Sequence, residues 1–140
     1  MHTDHTTARA IDRYQAPDVI SQVFTSFVNL EGDGKIGSDC CLKGGIALLD
    51  GKPCVVLANY KGPENNFGMA SPHGYRLALR LMDLAEHFEI PVFSIVDTVG
   101  AYPSFESERL GQSEALATNL LKMADLTVPL VTLVLGEGGS

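Results

Sequence analysis

The stretch Val92-Phe93-Ser94-Ile95-Val96-Asp97-Thr98-Val99-Gly100-Ala101-Tyr102-Pro103 decides the fold class. It is answered some thirty residues later by Val128-Pro129-Leu130-Val131-Thr132-Leu133-Val134-Leu135-Gly136-Glu137-Gly138-Gly139-Ser140. Each is a run of β-branched and leucine residues that stops in a glycine-bearing turn. The runs do not alternate apolar with polar, so they read as strands buried on both faces, the mark of a parallel sheet. Glycine at a strand end lets backbone N–H groups come close to a ligand. Amides held rigidly are what a developing oxyanion needs. Two such turns aimed the same way point to a site built from main chain.

Outward from these strands, apolar residues at Leu77, Leu81, Leu84, Ala85 and Phe88 predict a helix that opens at Ser71-Pro72 and runs to about His87. Serine followed by proline is an N-cap signal. A second helix is predicted over 107–124, with Leu116, Leu120 and Met123 inward. Asp50-Gly51 between two apolar runs is a hairpin signal. Earlier still, Val19, Ile20, Val23, Phe24, Phe27 and Val28 lie on one helical stripe, closed by Glu31-Gly32-Asp33-Gly34. Residues 1–16 are polar and read as a flexible segment, leaving 17–140 as the folded part. The order helix, hairpin, helix, strand, helix, strand is α/β with some antiparallel pairing. It suits β-β-α units stacked as a spiral. A buried strand running into Gly-Gly-Ser is normally the approach to a helix N-terminus, so the chain reads as a fragment.

The bulk numbers narrow the function. At 140 residues and 45% hydrophobic, the chain makes one domain with a real core. No apolar run reaches the roughly 18 residues that span a membrane. A net charge of −7 argues against a nucleic-acid partner. The cysteines, Cys40, Cys41 and Cys54, are odd in number and lack C-x-x-C spacing, so no disulfide framework and no metal site is signalled. They read as small semi-buried thiols, with a catalytic thiol as the lesser alternative.

Several motifs converge on one family. They are Phe27-Val28-Asn29-Leu30-Glu31-Gly32-Asp33, Gly44-Gly45-Ile46-Ala47, Asn66-Phe67-Gly68-Met69, Pro72-His73-Gly74-Tyr75-Arg76, Asp97-Thr98-Val99-Gly100-Ala101-Tyr102-Pro103, Gly111-Gln112-Ser113-Glu114-Ala115 and Gly136-Glu137-Gly138-Gly139-Ser140. In this order they resemble the α subunit of acetyl-CoA carboxylase carboxyltransferase, of the multi-subunit bacterial and plastid type. The chain departs from the family at Val99, where proline is usual, and in the loop after Lys61-Gly62, which is shorter and lacks basic residues.

The resemblance implies a crotonase-like (ClpP/crotonase) fold, of which 17–140 would be the N-terminal part. It implies transfer of a carboxyl group from carboxybiotin, carried by the biotin carboxyl carrier protein, to acetyl-CoA, giving malonyl-CoA for fatty acid synthesis. It implies a β-subunit partner that holds the acetyl-CoA side and the zinc. It implies a cytoplasmic or plastid-stromal setting. Two other readings stay open: a subunit of a related acyl-CoA or malonyl decarboxylase, and a silent half-domain that only associates with a partner.

Such a reaction needs stabilised negative charge more than a strong acid or base. Gly100 and Ala101, with Gly138 and Gly139, are the catalytic candidates. They are amide donors or ordinary strand-to-helix turns that need positive φ. The binding candidates are Lys61, Tyr102 and Glu137. Lys61 meets a coenzyme phosphate or is a surface lysine. Glu137 anchors its turn by accepting backbone N–H bonds. His73 reads as solvated or capping, and Glu106 and Glu108 as first-turn acids.

Overall fold

The computed structural model describes residues 5–10, 12–35 and 37–139. The chain runs α1 (His5–Arg9), α2 (Ala16–Val23), β1 (Thr25–Asn29), β2 (Leu42–Leu49), β3 (Lys52–Asn59), a 3-10 turn (Pro63–Gly68), α3 (Pro72–His87), β4 (Val92–Thr98), α4 (Phe105–Arg109), α5 (Gln112–Asp125) and β5 (Leu130–Gly138). The five strands form one sheet in sequence order. β1, β2 and β3 pair antiparallel, whereas β3–β4 and β4–β5 pair parallel. The β2–β3 hairpin turns through Asp50 and Gly51, both left-handed at φ 51° and 75°, as the Asp-Gly signal requires.

β3 shows why the chain needs two covered faces. Its residues alternate sides. Val56 and Ala58 pack with Ile20, Phe24 and Ile95 under α2, while Val55 and Leu57 pack with Leu77, Leu81 and Met82 under α3. Leu81 and Val55 are fully buried. Covering a side chain of that size contributes about 2 kcal/mol. The helix expected from Ser71-Pro72 to about His87 and the strand expected at 92–96 are present, the strand running on to Thr98. Ser71 is extended as an N-cap should be, but its hydroxyl donates to Asp39 Oδ2 at 2.6 Å rather than capping the helix.

Three expectations are corrected. The stripe from Val19 to Val28 is not one helix: α2 stops at Val23, and β1 follows. Ser26, at φ 53°, lies where the β1–β2 register shifts, and the extra residue of this bulge sets Phe24 and Phe27 three apart against the same cluster. A bulged strand thereby imitates helical spacing. The helix expected over 107–124 is two helices, split at Leu110 and Gly111, where Gly111 has φ 86°. α5 turns Gln112, Ala115 and Asn119 inward, and leaves Leu120 and Met123 exposed. Asn119 Nδ2 donates to Tyr75 O on α3 at 2.7 Å, which decides the buried face over the leucines. Finally, β5 lies at the sheet edge and exposes Val131, Leu133 and Val134, so it is not covered on both faces.

Candidate active site

Parallel pairing brings the C-terminal ends of β4 and β5 side by side, with Thr98 opposite Gly138. The Gly139 N–H donates to Thr98 O at 2.8 Å. The Thr98 hydroxyl accepts from the Gly100 N–H at 3.0 Å and donates to Gly100 O at 2.8 Å. Gly100 has φ 145°, which side chains resist, so its glycine is required. Gly139 is required for another reason: a Cβ there would lie 2.3 Å from Val99 O. Gly138 is a correction to the expectation of positive φ. It stays in β5, and a Cβ would meet nothing nearer than the Val134 side chain at 3.4 Å. Ser140, the last residue of the glycine motif, lies outside the described residues.

Beyond Gly100 the loop is held from α5 and from Ala70. The Tyr102 N–H and Gln112 Nε2 both donate to Ala70 O at 3.0 Å. Between these pinned neighbours, nothing among the described residues accepts the Ala101 N–H. Ala101 and Gly139 both line a cavity of about 510 Å³ that runs between the sheet and helices α3 and α5, with Leu57, Ile95 and Leu120 along its walls. Tyr102 faces a second cavity of about 480 Å³, with Asp39, Lys43 and Glu106. Among the described residues, the Ala101 N–H is thus an unpaired main-chain donor at the rim of a mostly apolar cavity.

Below the turns sits a charge cluster. Asp97 is fully buried. It accepts Arg13 Nη2 at 2.6 Å, Lys61 Nζ at 3.4 Å and the Glu137 N–H at 3.1 Å. Lys61 also reaches Glu137 Oε2 at 2.5 Å, and Arg9 Nε reaches Glu137 Oε1 at 2.8 Å. The hydrogen bond from Lys61 holds the Glu137 carboxyl below the usual carboxylate range, Arg9 helping and partial burial opposing. Burying a charge is tolerable only when it is paired, and this cluster pairs all of its members.

The candidates read from sequence therefore gather at one end of the sheet, with altered roles. Lys61 is not a surface lysine; it is 5% exposed and committed to two carboxylates. Glu137 does not anchor its turn by accepting backbone N–H bonds: Asp97 takes the backbone donor, and the Glu137 carboxylate takes cations. His73 is neither solvated nor a cap, since its Nδ1 lies 2.7 Å from Asp33 Oδ2. Cys41 and Cys54 are buried, and burial pushes both thiols up, away from a nucleophile's range. Sequence reasoning missed Asp97 and Arg13. A lone carboxylate inside an apolar strand was a signal for Asp97, because such a charge needs a partner. Arg13, in a polar segment, carried none.

Comparison with known proteins shows the family. The acetyl co-enzyme A carboxylase carboxyltransferase-like family matches residues 2–140. The acetyl-CoA carboxylase carboxyl transferase α subunit of Geobacter metallireducens is 49% identical over 139 residues, covering 95% of this chain and 44% of the relative. That of Haemophilus influenzae is 47% identical, with the same shares. The chain thus spans less than half the length of these relatives. Among solved structures, a transcarboxylase 12S with methylmalonyl-coenzyme A bound superposes with TM-score 0.73 at 26% identity, over 91% of this chain and 25% of that one. The β subunit of a Pseudomonas aeruginosa geranyl-CoA carboxylase gives 0.72 at 22% identity, over 88% and 22%, which bears on the fold alone. The spiral expected from sequence is this crotonase-like fold, and the chain belongs to the acetyl-CoA carboxylase carboxyltransferase family, whose α subunits it matches.

Proposed function

We propose that this chain provides the carboxybiotin half of a carboxyltransferase site, with residues 17–140 forming the N-terminal part of the domain. The reaction is transfer of a carboxyl group from carboxybiotin on a carrier protein to acetyl-CoA, giving malonyl-CoA in the cytoplasm. A carboxyltransferase β subunit completes the site and carries its zinc. Bound carboxybiotin supplies an activated carboxyl group. What this chain adds is position and charge stabilisation.

The observation that carries the reading is the Ala101 N–H at the cavity rim, which has no acceptor among the described residues. Gly100 and Gly139 do not donate to substrate here; their N–H groups are spent on Thr98 and fix the frame in which Ala101 sits. The apolar walls of the cavity suit an uncharged ring system, and the amide at its rim suits a carbonyl oxygen that gains negative charge. A preorganised donor of this kind is worth about 3 kcal/mol of barrier, or roughly 10²–10³ in kcat. Lys61 acts indirectly, by holding Asp97 and Glu137 under the turns.

The test is carboxyl transfer between malonyl-CoA and a biotin analogue, by the natural-length protein assembled with a β subunit. Replacing Ala101 with its α-hydroxy analogue exchanges the N–H for an ester oxygen and leaves the side chain in place. A kcat loss of about 10²-fold is expected. An unchanged kcat removes Ala101 from the site, and decarboxylation that ignores biotin transfers the chain to the decarboxylases.

A further inference from the structure

Arg13 lies eighty-four residues from Asp97 in sequence, yet its guanidinium links the N-terminal segment to the end of the sheet. Nε and Nη2 donate to Ala8 O at 3.0 and 2.7 Å, Nη1 donates to Tyr14 O at 2.9 Å, and Nη2 also donates to Asp97 Oδ2 at 2.6 Å. Its partner carboxylate is 1% exposed, and its own side chain 15%. The same guanidinium lies directly over the backbone of β5. A Cβ on Gly136 would fall 1.9 Å from Arg13 Nη2 and 2.7 Å from Asp97 Oδ1. Glycine at 136 is thus what lets the arginine cross β5 to reach β4. Asp97, so capped, accepts the Glu137 N–H with its other oxygen. One carboxylate then ties the N-terminal segment, β4 and β5 together; it sits one residue before Thr98, and the β5 amide it holds, that of Glu137, lies two before Gly139.

We propose that Arg13 is a positioning residue of the carboxyl-transfer site, capping Asp97 across Gly136 so that the turns after β4 and β5 keep the spacing that presents the Ala101 amide. The proposal rests on the function argued above for its catalytic consequence, and on geometry alone for its structural one. Arg13 touches no reacting atom. It acts through Asp97, whose Oδ2 takes Arg13 and whose Oδ1 takes the Glu137 N–H of β5 together with Lys61. Arginine suits the task because its fork serves Ala8, Tyr14 and Asp97 at once, which a lysine cannot do.

Two readouts separate the parts of this claim. The first is amide hydrogen exchange of the natural-length protein and its Arg13→Met variant. The expected result is faster exchange at Gly100, Glu137 and Gly139, with β2 and β3 unchanged. Exchange that is unchanged at those three amides, or raised uniformly over the sheet, overturns the positioning role whatever the enzyme does. The second is carboxyl transfer with the β subunit present. A displacement of the amide by about 1 Å costs on the order of 10²-fold in kcat, with KM for the acyl-CoA little altered. Millimolar guanidinium ion added to Arg13→Gly should restore part of that kcat, and a loss confined to KM contradicts the proposal. If the unaltered protein transfers no carboxyl group while the exchange pattern changes as expected, the functional reading fails and the positioning by Arg13 stands.

Discussion

Replacing Lys61 by methionine tests whether the charge cluster holds the sheet end together. Methionine keeps the length and loses the charge. Lys61 is 5% exposed, and it bridges Asp97 at 3.4 Å and Glu137 at 2.5 Å. Removing one member of a buried ion pair typically costs about 3–5 kcal/mol, because the remaining charge is left uncompensated. Here the low end applies: Asp97 keeps Arg13 and the Glu137 N–H, and Glu137 keeps Arg9. A loss of about 3 kcal/mol lowers Tm by roughly 10 °C in a domain of this size. The loss depends on pH in a definite sense. Glu137 has its carboxyl held low in the folded state, first by Lys61. Such a group contributes stability that is present above its unfolded pKa, roughly 4.3, and is lost as pH falls through its folded value. The variant lacks most of that contribution, so the gap between variant and parent is widest at neutral pH and narrows in acid. Urea unfolding at pH 7 and again near pH 3 measures both. Adding Glu137→Gln to Lys61→Met removes the carboxylate left with the exposed Arg9 alone and should recover about half the loss. A cost under about 1 kcal/mol at pH 7, the ceiling for exposed pairs, or a gap that stays constant with pH, refutes the reasoning.

Other outcomes follow from single residues. Asp33 is buried, and burial alone would raise its carboxyl, but His73 and the N–H groups of Gly37 and Lys35 together lower it to about 2. Its contribution is therefore full above roughly pH 4 and lost between there and pH 2; Asp33→Asn should cost about 2 kcal/mol at neutral pH and almost nothing near pH 2, read from urea midpoints. Gly139→Ala must displace the Val99 carbonyl, whereas Gly138→Ala meets only a side chain at van der Waals distance; the first should lower carboxyl transfer by at least about 10²-fold and the second leave it nearly intact, and equal losses would show the turn is misread. Cys41 and Cys54 should stay unreactive to a thiol reagent at pH 7 until the protein unfolds, because both are buried with their thiols pushed up.

The fold was legible wherever local chemistry and packing agree. Asp50-Gly51 can only be a tight left-handed turn, and the leucine stripe of α3 faces the sheet it covers. The misreadings arose where a long-range demand overrode a local period. Phe24 and Phe27 are spaced for a helix because a bulge against β2 inserts Ser26, and no property of residues 19–28 alone announces a partner strand. On α5 the leucines gave the wrong face, since the amide of Asn119 and the small Ala115 settle against α3. At the candidate site the glycines were visible as breaks in apolar runs. Which of their amides are free was not, because that depends on the Thr98 hydroxyl and on Ala70, which is brought in by another loop. Arg13 was invisible for the same reason: the carboxylate it serves, Asp97, lies eighty-four residues away.

The strands pair in the order in which they occur in the chain. During synthesis each strand therefore meets an edge already waiting for it, and the sheet can grow residue by residue from the first hairpin as the polypeptide emerges. The arginines are the exception. Arg9 is made 128 residues before Glu137, and Arg13 eighty-four before Asp97. Arg9 meets its carboxylate only when β5 arrives, whereas Arg13 can pair as soon as β4 does. Until β4 and β5 are made, both cations lack the carboxylates that they later pair. Closure of that latch marks the moment at which the end of the sheet becomes a site.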